Sequence, residues 1–151
     1  MKHIVLPILA LIILVVPSIA QAGNDNINLV GVQGYDLVSY HQGDGSPQKG
    51  DGNNLAYHDG VTYLFANAKN QKAFEANPTK YLPAYGGYCA FGVTKSKKFI
   101  GDPLAYKVVD GALYLNLSKK VQKIWVKDIP GNISTADTIW PDIANEHASD
   151  L

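Results

Sequence analysis

Arginine is absent from this chain, cysteine occurs once, and methionine occurs only as the first residue. Each absence closes off a chemistry. Without guanidinium groups there are no bidentate phosphate forks and no arginine readout of bases, so nucleic acid is not an expected partner. One cysteine cannot form an intramolecular disulfide, and it cannot build a multi-cysteine zinc site or an iron–sulfur cluster within one chain. The lack of an internal methionine removes the usual weak axial ligand of an electron-transfer copper site. Charge is also sparse and balanced: 13 lysines face 13 acidic residues, for a formal net charge of zero. Beyond Ala20 no apolar run is long enough to span a bilayer.

What is present begins with Lys2, the apolar run Ile4 to Ala20, and Ala20-Gln21-Ala22. A cationic start, an apolar stretch and an A-x-A site are the parts of a secretory signal peptide over residues 1–22. An uncleaved anchor is the alternative, against which Pro7, Pro17 and the A-x-A site speak. The expectation is an exported protein, periplasmic or secreted, without stable membrane insertion once the signal is cleaved. Residues 23–29 read as a flexible lead-in, 30–143 as one domain, and 144–151 as a polar tail.

Along the domain, Tyr35 to His41 reads as a strand with Tyr35, Leu37, Ser39 and His41 on one face. Asp59-Gly60 and Asp110-Gly111 each separate two apolar, aromatic-rich runs, the pattern of tight hairpins. Asn67 is placed to cap a helix over Ala68 to Ala76 with Phe74 inward, ended by Pro78. Ser118 is placed to cap a second helix through Asp128, with Val121, Ile124 and Trp125 as its apolar stripe. Pro130-Gly131 breaks it, and a last short helix runs from Ser134 to Trp140, closed by Pro141. No internal repeat is read. The expected fold is α+β: a small antiparallel sheet built from β-hairpins with several short flanking helices.

Several of these segments carry a resemblance. Gly34-Tyr35-Asp36 with Tyr40, Asp59 to Phe65, Asn70 with Phe74, Tyr85-Gly86-Gly87-Tyr88-Cys89-Ala90, Gly101-Asp102-Pro103, Asp110 to Asn116, Trp125, Asp128 to Ile133 and Trp140-Pro141 resemble the YHS domain family in its stand-alone, exported form. The likeness spans about residues 30–143. It implies antiparallel strands with flanking helices. Related modules attached to metal pumps are thought to bind heavy metals through several cysteines, one of them near the position of Phe65-Ala66-Asn67. Here that stretch holds Ala66, so only Cys89 carries over.

Three roles stand open for Cys89: a metal ligand, a nucleophile, or a buried thiol packed by Tyr85, Tyr88 and Phe91. As a ligand it would work with His41 and His58, a thiolate and two imidazoles that suit copper, or zinc with a fourth ligand. As a nucleophile it would take His41 or His58 as base. A third possibility uses no thiol chemistry. Tyr35, Asp36, Tyr40, Tyr85 and Tyr88 would then line a tyrosine-rich pocket for a small ligand or a partner protein. A homodimer through a Cys89–Cys89 disulfide is compatible with an oxidising compartment. The lysines at 95, 97 and 98 read as a solvated face.

Overall fold

The computed structural model describes residues 29–151, so the expected signal peptide and the lead-in before Leu29 lie outside the described residues. Five strands and five α-helices follow one another with 3-10 turns between them. They are β1 (Leu29–Val30), β2 (Asp51–His58), β3 (Val61–Phe65), α1 (Ala68–Ala76), α2 (Pro78–Tyr81), α3 (Ala90–Val93), β4 (Asp102–Val109), β5 (Ala112–Asn116), α4 (Lys119–Trp125) and α5 (Ile129–Ile143). One sheet has the order β1-β3-β2, with β1 parallel to β3, and the other is the β4-β5 hairpin. The fold is α+β, as the hairpin signals and capped helices imply.

The chain follows one path twice. Each pass opens with a 3-10 turn in left-handed backbone: Val32, Gln33 and Gly34 at φ 47°, 52° and 78°, then Tyr85, Gly86 and Gly87 at 54°, 61° and 83°. Each turn leads into a tyrosine, Tyr35 or Tyr88, and a buried capping residue, Asp36 or Cys89. The chain then returns so that Gly50 N–H donates to the Gly34 carbonyl, and Gly101 N–H to that of Gly87.

A bulged hairpin comes next in both passes. Asp51 pairs with Phe65, the register shifts, and Leu55 to His58 pair with Leu64 to Val61. Asp102 pairs with Asn116, the register shifts in the same place, and Tyr106 to Val109 pair with Leu115 to Ala112. Both hairpins turn at Asp-Gly, with φ of 46° and 81° at Asp59-Gly60 and of 49° and 81° at Asp110-Gly111. Both end in a helix whose cap accepts from the third residue on: Asn67 from Asn70 N–H, and Ser118 from Val121 N–H. Residues 29–76 and 82–125 are thus two copies of one supersecondary unit, where the sequence reading saw no repeat.

What differs is the covering. The first unit closes its core with α1, placing Phe74 against Tyr63 and Phe65 at ring distances of 5.0 and 5.1 Å. The second unit adds α5, whose Ala136 and Ile143 join Tyr85, Ala90, Val93, Tyr114 and Trp125 in a second core. The two units are tied by polar bonds as well as packing. Tyr40 Oη donates to the Pro103 carbonyl at 2.9 Å, and Tyr106 Oη to that of Gly45 at 2.8 Å.

Four local expectations are corrected. Tyr35 to His41 is no strand: Asp36 to Tyr40 are all buried around a 3-10 turn at Ser39–His41. The cause is Asp36, which draws the following N–H groups onto its carboxylate and so bends the backbone out of extension. The last helix starts at Ile129 rather than Ser134, so Pro130-Gly131 lies inside it and not in a break before it. Pro130 sits in the first turn, where a missing N–H costs nothing, and Asp128 caps that turn through Gly131 N–H. Pro141 lies inside the helix rather than after it. Of the stripe expected on α4, Trp125 is buried but Ile124 is exposed.

Candidate functional site

A cleft of about 620 Å³ opens where the two units meet. That size is within the range of small-molecule sites, roughly 300–1,000 Å³. One wall is the start of the first unit, Leu29 to Gln33, with the hairpin tip His58-Asp59 and with Val61 and Tyr63. The opposite wall is the start of the second unit, Leu82, Pro83 and Gly86-Gly87-Tyr88, with Ile100, Gly101 and Leu115. Two glycines shape it. A Cβ on Gly31 would overlap the Tyr63 ring, and one on Gly101 would lie 2.6 Å from the Gly87 carbonyl oxygen. The Gln33 amide donates to the Gly101 carbonyl at 3.1 Å and so joins one wall to the other.

The lining is mostly aliphatic and aromatic, and at its rim Leu29 and Ile100 are 61% and 74% exposed. Polar groups enter from the hairpin tip and from Gln33. His58 Nε2 lies 3.2 Å from the Asp59 carboxylate, and the His58 ring stands edge-on to Phe74. Burial, and then the charge of Asp59, push the Tyr63 hydroxyl above its ordinary pKa. Among the described residues no lysine lines the cleft, and Asp59 is its only carboxylate.

The residues singled out from the sequence fall in different places. Cys89 is 1% exposed. Its Sγ accepts from Gly92 N–H at 3.3 Å, capping α3, and lies 3.9 Å from the Asn116 amide oxygen. His58 lines the main cleft, His41 lines a separate cavity beside Lys80 and Tyr81, and Cys89 lines neither. Among the described residues no three His, Cys, Asp or Glu side chains come together in a way that could hold a metal ion. His41 packs edge-on against Tyr81, its Nε2 buried without a hydrogen-bond partner among the described residues. Burial, and then the charge of Lys80, lower its pKa.

The five residues expected to form a pocket are also dispersed. Asp36 is fully buried and satisfied. One carboxylate oxygen accepts from Val38 and Ser39 N–H, and the other accepts from Ala66 N–H at 2.9 Å and the Asn70 amide at 2.6 Å. Tyr40 bridges the units and is pushed to a higher pKa by burial. Tyr85 is buried in the second core, where its hydroxyl donates to Asp137 at 2.8 Å; burial and that carboxylate hold its proton on. Tyr35 lies under the Lys49 ammonium, 4.1 Å from the ring centroid. Only Tyr88 of the five lines the main cleft, with Lys98 above its ring. Lys98 is no free surface cation: it donates to the carbonyls of Ile143, Ala144 and Glu146.

Sequence reasoning missed the aliphatic part of the cleft, above all Leu29, Leu82 and Ile100. The available signal was Ile100 itself, a large apolar residue between the lysines at 97 and 98 and the turn at Gly101-Asp102. Comparisons of the chain with family models, with curated proteins and with solved structures return no match.

Proposed function

We propose that this chain is an exported, YHS-type binding module that performs no thiol chemistry and takes a predominantly apolar guest in the cleft between its two units. The observation that carries this reading is the cleft itself: open, mostly apolar and walled by the starts of both repeats, with few polar side chains among the described residues that line it. The YHS part of the reading rests on the sequence segments that carry the likeness, and these residues have structural roles in the fold. Gly34 and Tyr85-Gly86-Gly87 make the paired left-handed turns, Asp36 and Asn70 form one buried network, and Phe74 and Trp125 fill the two cores. Cys89 serves this fold as a helix cap. A sulfur on a residue only 1% exposed offers a substrate or a second chain no approach without opening of the domain.

The test is a titration with the neutral apolar dye Nile red. Saturable binding to the wild type, weakened at least tenfold by Ile100→Glu, is the expected result. Ile100 is largely exposed, so its exchange leaves the core intact. Parallel titrations with copper and zinc complete the experiment. Stoichiometric metal binding that disappears in Cys89→Ser, with no dye binding, would overturn the reading in favour of a thiolate site.

A further inference from the structure

The repeat shows what kind of guest the cleft is shaped for. In the first unit, Gly31, Val32, His58, Asp59, Val61 and Tyr63 line the open cleft. Their counterparts in the second unit are Ala84, Tyr85, Val109, Asp110, Ala112 and Tyr114, matched through the shared turn and hairpin register. That second face is covered. Ala84, Tyr85, Val109, Ala112 and Tyr114 all belong to the core that α5 closes with Ile129, Ile133, Ala136 and Trp140. These four recur at helical spacing and make one apolar stripe. Among the described residues the same surface is therefore filled by an amphipathic helix in one unit and left open in the other.

The hairpin corner indicates direction. The first turn of α5, Ile129-Pro130, lies with Val109 and Asp110 around one shallow cavity, so the helix begins beside the Asp-Gly turn of its hairpin. Asp59 stands at the matching corner of the open cleft, where no lysine among the described residues favours an acidic guest. We propose that the open cleft is a receptor groove for an amphipathic α-helix of a partner protein. The helix seats as α5 does, with its first turn beside Asp59 and an uncharged or basic outer face. This is helix-in-groove recognition, read from anchors one and two turns apart. It rests on the reading of the cleft as a binding site and names the class of guest.

The test uses a labelled synthetic peptide copying residues 128–144 of this chain, with Asp137→Lys and Asp142→Lys. Asp137 is exchanged because its partner Tyr85 is matched by Val32 in the first unit. Fluorescence anisotropy against the whole protein should show saturable binding. Leu29→Glu and Ile100→Glu, both at exposed rim positions, should each weaken it tenfold or more. Leu104→Glu, at an exposed position outside the cleft, should leave it unchanged. No saturable binding, or binding equal in all variants, overturns the proposal, as does a peptide effect traced by sedimentation to pairing of two copies of the chain. Nile red in the same samples separates the two claims. Dye binding without peptide binding removes the helical guest and keeps the cleft as a site, and loss of both removes both.

Discussion

Asp36 and Cys89 hold equivalent places in the two units and do the same work with different chemistry. Asp36 ties four N–H groups from three segments to one buried carboxylate. Asp36→Ala leaves those donors buried and unpaired, and the expected loss is at least about 3 kcal/mol, read from the urea midpoint. Cys89 caps a single turn, so Cys89→Ser should keep the fold and most of its stability. The native thiol should resist iodoacetamide and become reactive only in denaturant; fast alkylation of native protein would contradict the sealed sulfur. His41 gives a pH signature. Its folded pKa lies below the value of about 6.5 expected for the unfolded chain. The unfolded state therefore takes up the proton first as pH falls, and stability is lost from about pH 6.5 downward. His41→Gln should flatten that part of the stability–pH curve. At this scale the sequence showed which residues were unusual but not where they point. Cys89 was conspicuous by rarity, yet its partners Gly92 and Asn116 are set by the return of the chain at Phe99 to Gly101 and by β5.

Local signals were legible wherever the cause is local. Asp-Gly set both hairpin turns, because aspartate tolerates and glycine favours the left-handed backbone that a tight hairpin needs. Asn67 and Ser118 each cap the helix that follows, and each exchange to alanine should cost about 1 kcal/mol in thermal or urea unfolding. Gly101→Ala should cost more, because the added methyl meets the Gly87 carbonyl and Leu115. Where a tertiary partner decides, the pattern misled. The alternation in Tyr35 to His41 suits a strand, but the carboxylate between those residues captures the backbone. The proline at 141 suggested a stop, but a helix already packed along one apolar face continues past it. The repeat itself was within reach of the sequence. Gly60-Val61-Thr62-Tyr63-Leu64 and Gly111-Ala112-Leu113-Tyr114-Leu115 share glycine, tyrosine and leucine in step, and Asn67 and Ser118 follow at the same distance. Too few positions are identical for that to stand out until the shared bulge and turns line them up.

For the molecule as a whole, the difference between the two units matters more than their likeness. The second unit owes its closed core to a helix that lies beyond the repeat, held down by Lys98 across the carbonyls at its C-terminal end. Leu151 packs against that same core. During synthesis α5 emerges after both units, and until it does the second unit lacks the helix that covers Tyr85 and Tyr114. A chain stalled before Ile129 presents two uncovered apolar faces instead of one. Exposed apolar surface of that kind is prone to aggregation until α5 docks.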